Sequence, residues 1–198
     1  MNDAQVNELL YQALETELGG VKVYQTAIRC TVNEDLRTEW QGYLEETENH
    51  VRIVNDIFSQ LDLDPTVETQ GRAIVKSKGQ ALIAAMETAL EGGDKTNAQL
   101  VAAECVVDAE IKDHANWELI GEVAQELTGD RARVLQEAYE QVEEEEDEHL
   151  YHTQGWAREL WFESLGLPAA LPPPEEQKKV KTAIGASRAK QSREDYVD

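Results

Sequence analysis

The chain carries four histidines, His50, His114, His149 and His152, and each follows a carboxylate by three or four residues. Glu46 precedes His50, Glu110 precedes His114, Glu145 and Glu146 precede His149, and Glu148 precedes His152. The densest of these runs, EEEEDEHLYH over residues 143–152, is almost entirely ionisable. On a helix, side chains three or four apart share a face, so each histidine and its carboxylate can serve one centre. A glutamate is long enough to reach the axis of a helix bundle and can bridge two ions. A neutral imidazole can cap each ion, and it suits iron better than magnesium or calcium. A mixed oxygen and nitrogen set with open positions fits iron or manganese redox chemistry, and zinc is compatible with the same residue list. For any one of these pairs taken alone, the plain alternative is a solvated acidic face or a satisfied core group.

The elements that must position these side chains are helical. Apolar residues recur at spacings of three and four, which predicts long helices over 3–32, 34–61, 95–127 and 131–165, and a shorter one over 72–91. DLDPTVETQGR breaks the pattern after the second helix, and Gly92-Gly93 stops the short one. Thr128-Gly129 ends the third long helix, with Gly129 placed as a left-handed cap. The links within the first and the last pair of long helices are short, so each pair is expected to form an antiparallel hairpin. The segment 62–94 between the hairpins is long enough to cross the length of a bundle. Two hairpins joined by one long crossover that contains a short helix make an all-α, ferritin-like four-helix bundle. Residues 1–167 are assigned to it. Residues 168–198, Pro-rich and then polar, read as a disordered tail.

The inward stripe of each long helix shows where the ionisable groups fall. In the first it runs Leu10, Leu14, Glu17, Val21, Tyr24, Ile28. In the second it runs Leu36, Trp40, Tyr43, Thr47, His50, Val54, Ile57, Leu61, with Glu46 one turn before His50. In the third it runs Leu100, Ala103, Val107, Glu110, His114, Trp117, and in the fourth Leu135, Ala138, Val142, Glu145, His149, His152, Trp156. At about 100° per residue, Glu145 and Glu146 lie about 40° and 60° from His149, so either can share its face. Every long helix thus places a carboxylate in mid-stripe, and lysine and arginine are nearly absent there. Burying an isolated carboxylate is costly, so such groups are paired or bind metal. A cation from solution is the natural partner. Tyr24 and Tyr43 lie one to two turns away. Core packing is the ordinary use of such tyrosines, and electron relay is the functional one.

These residues resemble the pattern of the ferritin-like di-iron and di-manganese carboxylate proteins, with a Glu on the first helix, Glu-x-x-His on the second, a Glu on the third and Glu-x-x-His on the fourth. Glu17 matches the first position, Glu110 the third, and EDEH (146–149) supplies Glu146 and His149. The second helix departs: EETENH puts Thr47 three before His50, and the nearest carboxylate is Glu46, four before. YLEETENHVRIV is also similar to the second helix of a small bacterial stress-associated ferritin-like family. His114 is an added imidazole, either a ligand or a group that orients a carboxylate. His152 is a further one, either orienting or solvated. The resemblance covers about residues 5–165. It implies two iron ions, or manganese, held by Glu17, Glu46, His50, Glu110, His114, Glu146 and His149. It also implies redox activity toward dioxygen or peroxide, such as ferrous iron oxidation or peroxide reduction.

Charge and cysteine usage bound the partners. The net charge is −22, and residues 1–167 carry 12 basic against 35 acidic groups. Such a body repels nucleic acid and anionic lipid and attracts cations. No apolar run approaches the roughly 20 residues of a membrane span, and MNDAQVNELL does not read as a secretory leader. Cys30 and Cys105 form no CxxC pair, so a reducing cytoplasm is the expected compartment and electrons must come from an external donor or from iron itself. Two other classes remain in view. One is an iron-storage shell, which would form a particle of hundreds of kilodaltons rather than a monomer or homodimer of the 22.2 kDa chain. The other is a non-catalytic adaptor bundle, which would retain no stoichiometric metal. Deletion of 171–198 is expected to leave metal content and melting temperature nearly unchanged, as read by elemental analysis and thermal melts. A large loss of stability would show instead that the tail packs on the helices.

Overall fold

The structure is a computed structural model that describes residues 1–170. The predicted tail beyond that point, 171–198, lies outside the described residues. Within them all regular structure is helical: α1 (Asp3–Cys30), α2 (Glu34–Gln60), α3 (Gln70–Glu91), α4 (Lys95–Glu126) and α5 (Asp130–Ser164). The boundaries fall within two residues of those predicted, and side-chain caps explain the shifts. Thr69 accepts a hydrogen bond from the Arg72 N–H at 3.0 Å, so α3 begins two residues earlier than the break in hydrophobic pattern suggests. Asn33 takes the Asp35 and Leu36 N–H groups at the start of α2, which closes α1 at Cys30. Gly129 does adopt positive φ (77°), but α4 already ends at an extended Leu127. The glycine therefore turns the chain into α5 instead of capping α4. Gly166 (φ 69°) is the left-handed residue that ends α5, its N–H bonded to Glu163 O at 3.0 Å.

The four long helices close into a ring in which α1 packs on α2 and α4, and α5 packs on α4 and α2. Helix α3 lies outside this ring, against α1 and α4. The core is split in two. One apolar cluster gathers Val23 and Tyr24 of α1, Trp40 and Tyr43 of α2, Val106 of α4 and Trp156 of α5. The other gathers Leu10 and Leu14 of α1, Val54 and Ile57 of α2, Trp117 and Ile120 of α4, and Val142 of α5. Between the two, each long helix passes through a level where its buried residues are polar, and the site lies at that level.

The crossover is held by a buried ion pair. Arg72 at the start of α3 is 7% exposed and donates from Nε to Glu15 Oε2 at 2.9 Å, while its Nη1 donates to Pro65 O at 2.6 Å and Val67 O at 3.1 Å. The guanidinium thus ties the loop, α3 and α1 together. At the other end of the described chain, the Ala170 N–H returns to Glu159 Oε1 at 3.2 Å. Arg72→Met keeps most of the aliphatic packing but leaves Glu15 as a buried, unpaired carboxylate, which costs about 3 kcal/mol. Denaturant unfolding is expected to show that loss with unchanged helix content at 25 °C. An unchanged midpoint would mean that apolar contacts alone hold the crossover.

Candidate metal centre

Six ionisable side chains, all 5% exposed or less, meet at the polar level: Glu17 of α1, His50 of α2, Glu110 and Asp113 of α4, and Glu146 and His149 of α5. Two sets of donors converge there. Glu17, His50 and Glu146 each offer one ligand atom, all within 4.8 Å of one another, and so do Glu110, Glu146 and His149. Glu146 belongs to both. Its Oε1 lies 3.0 Å from His50 Nδ1 and 3.6 Å from His149 Nδ1. Glu17 Oε1 stands 3.7 Å from His50 Nδ1, and Glu110 Oε2 3.8 Å from His149 Nδ1. The two imidazoles face each other at 5.7 Å between ring centroids.

The outer nitrogens of the same rings are held by a reciprocal exchange between α2 and α5. Glu145 Oε2 lies 2.8 Å from His50 Nε2, and Glu46 Oε2 lies 2.8 Å from His149 Nε2. Each carboxylate sits four residues before the histidine of its own helix but serves the histidine of the other. An ionised carboxylate only accepts, so Nε2 carries the hydrogen in each ring. The lone pair of Nδ1 then points at the centre, the orientation a carboxylate imposes on a metal-bound imidazole. A third donor fixes Glu17, whose Oε1 accepts from Trp117 Nε1–H at 2.7 Å.

The fit to a cation shows in the atoms left over. Oε2 of Glu17, Glu110 and Glu146 and Nδ1 of His50 and His149 are all buried with no hydrogen bond closing on them. Buried polar groups are otherwise almost always satisfied. Among the described residues, the charged partners within ion-pair distance of Glu17, Glu110 and Glu146 are His50 and His149, not lysine or arginine. The donor set is oxygen and imidazole nitrogen, which suits iron, manganese or zinc. Without a cation the cluster must hold protons. Burial, with the charges of Asp113 and Glu146, drives the Glu17 carboxyl well above its ordinary range, and burial with Glu146 and Glu110 does the same to Asp113. Burial and then Glu110 push Glu146 up to about 8. Burial opposes a charge on His149, but the Glu46 hydrogen bond and the nearby Glu110 and Glu146 outweigh it and raise the imidazolium pKa.

Five of the seven predicted ligands, Glu17, His50, Glu110, Glu146 and His149, come together in these two sets. Glu46 and His114 do not. Glu46 is 41% exposed at its side chain and orients His149 from outside. His114 pairs with Asp147 at 3.0 Å on the rim of a recess of about 70 Å³ whose lining includes Trp117 and Glu146. His152 is buried, not solvated: its Nδ1 lies 2.9 Å from the Tyr43 hydroxyl and 3.3 Å from Glu39 Oε1. The inward-stripe reading passed over Asp113 and Glu39. Asp113 follows Glu110 by three residues, the spacing of Glu146 and His149, and that parallel is the signal for it. Glu39 left no such signal. Burial opposes its charge, but hydrogen bonds from His152, Tyr43 and Trp156 lower its pKa overall.

Comparison with protein-family models, with characterised proteins and with solved structures returns no match to this chain.

The raised carboxyls set a pH dependence. Folded Glu17, Asp113 and Glu146 hold protons that the unfolded chain has lost above about pH 4.5. Stability therefore falls as pH rises, through about 8 for Glu146, and the raised His149 acts in the same direction. Chelator-treated protein is expected to melt higher at pH 5.5 than at pH 8, and added ferrous iron or manganese should remove most of that difference. A flat profile without metal would mean that the cluster is ionised and wet.

Proposed function

We propose that the chain is a ferritin-like dinuclear metal protein, holding two iron or manganese ions and acting as an oxidoreductase on dioxygen or peroxide. The observation that carries this is Glu146. It is shared by two buried donor sets, each completed by one imidazole and one further carboxylate. In this reading Glu17 with His50 would hold one ion and Glu110 with His149 the other, and Glu146 would serve both. When bound, the ions supply a centre that cycles between two oxidation states.

The chain's own groups do the rest. Trp117 stops Glu17 from turning away by holding Oε1, the oxygen 3.7 Å from His50 Nδ1, and leaves the buried Oε2 without a hydrogen bond. Glu46 and Glu145 keep the imidazole lone pairs inward. Protons held by Glu17, Asp113 and Glu146 leave as cations arrive, so binding is coupled to pH. The apolar clusters on both sides exclude water and limit side reactions. Tyr43 packs its ring 4.3 Å from that of His149 and donates its hydroxyl hydrogen to Glu39 at 2.8 Å. Loss of an electron from that ring can therefore be matched by a short proton transfer to a carboxylate, which suits Tyr43 to relay electrons from an external donor.

Protein stripped of metal and dialysed against ferrous iron without oxygen, or against manganese, is expected to retain two ions per chain by elemental analysis. Glu146→Ala is expected to retain neither. Glu110→Ala should lose tight binding of the ion next to His149 while keeping its helix content. Exposure of the iron form to dioxygen or peroxide is expected to change the absorption spectrum. Metal content that is unchanged in Glu146→Ala would overturn the assignment.

A further inference from the structure

Outside the polar centre a cavity of about 390 Å³ lies where α3 crosses α1 and α4. Its origin lies in glycine. A Cβ built on Gly19 meets nothing within 4 Å, while one on Gly79 would touch Gly19 Cα at 3.9 Å. The two helices thus approach closely at one point and leave a hollow beside it. Val23 of α1, Val75 and Leu82 of α3 and Ala109 of α4 line that hollow, and most of its wall is apolar. Ile111, at its edge, is 50% exposed. The volume falls in the range of about 300–1,000 Å³ typical of small-molecule pockets.

The charge at this cavity is balanced, unlike that of the acidic body: two lysines and two carboxylates line it. Five lysines precede residue 171 (Lys22, Lys76, Lys78, Lys95 and Lys112), and Lys78 and Lys112 both line this space. Glu15 also lines it, but its carboxylate is bound by Arg72 at 2.9 Å. Asp108 is exposed at the edge. The Lys112 ammonium donates to Asn116 Oδ1 at the inner side. With Glu15 engaged by Arg72, the two lysines outnumber Asp108 beside an apolar hollow, which suits an anion that brings its own apolar body.

We propose that this cavity is a second binding site, for a small apolar monocarboxylate such as a medium-chain fatty acid. The chain lies between α1 and α3, and the carboxylate is held by Lys78 and Lys112. The site does not depend on the metal reading. It does adjoin the centre, because Gly20, part of its floor, directs its missing Cβ at Thr47 (3.2 Å) and at Asp113 Oδ2 (4.0 Å).

Titration of the full-length protein with dodecanoate, below the concentration at which it forms micelles, tests this by calorimetry with and without bound metal. The expected result is one saturable site per chain in both forms and a higher melting temperature. Gly19→Leu fills the hollow and adds a helix-favouring residue. It should weaken binding at least tenfold without lowering the melting temperature of the free protein. Lys78→Glu should weaken dodecanoate at least tenfold but leave the weak binding of dodecanol unchanged. Three results would each overturn the proposal: no saturable binding, binding insensitive to Gly19→Leu, or equal affinity for dodecanoate and dodecanol.

Discussion

Four carboxyl groups buried at one level of a helix bundle constrain everything around them. Glu17, Glu110, Asp113 and Glu146 occupy positions where burying a bare charge costs several kcal/mol each after relaxation. A domain of this size has only about 5–15 kcal/mol of net stability. The group cannot stay fully ionised and unaccompanied. It must hold protons, or it must hold cations, and the two compete for the same oxygens. The apolar clusters above and below sharpen that choice, since they offer the charges no polar groups on those two sides.

The exchange between α2 and α5 shows how the bundle turns this constraint into geometry. Glu46 and Glu145 each sit four residues before a histidine of their own helix, yet each bonds the imidazole across the interface at 2.8 Å. The two pairs therefore fix the register of α2 against α5 as well as the ring orientations. A one-turn slip of either helix would break both bonds and turn Nδ1 away from Glu146. α1 and α4 contribute carboxylates alone to the two donor sets, so the nitrogen donors and their orienting acids all come from one interface, and Glu146, common to both sets, lies on it.

Much of this was legible in the chain itself, and the exceptions have physical causes. Helical spacing placed all five helices within two residues. It also singled out Glu17, His50, Glu110 and His149, because an ionisable group on an apolar stripe is conspicuous, whereas on α5 the stripe offered Glu145 and only the resemblance to the Glu-x-x-His pattern selected Glu146. Spacing could not separate Glu46 from Glu146. Residues three and four before a histidine both lie within about 60° of it, and which one turns inward depends on the neighbouring helix. The same ambiguity favoured His114 over Asp113 as the companion of Glu110. The structure turns Asp113 into the core and leaves His114 at the rim with Asp147. Glu39 was invisible because its three partners, Tyr43, His152 and Trp156, come from two helices.

Gly20 stands between the polar centre and the outer cavity. On one side it forms part of the floor of the lysine-edged cavity. On the other, a methyl group in its place would press on Thr47 and come within 4.0 Å of the Asp113 carboxylate. Thr47 takes the place of the second-helix carboxylate in the Glu-x-x-His pattern, and it is small enough to let α1 come close only because position 20 has no side chain. A longer residue at 47 would need α1 to move outward, and Glu17 moves with α1. The small residues at 20 and 47 therefore set how far Glu17 reaches toward His50. They also leave α1 thin enough for the outer cavity to sit directly behind the centre.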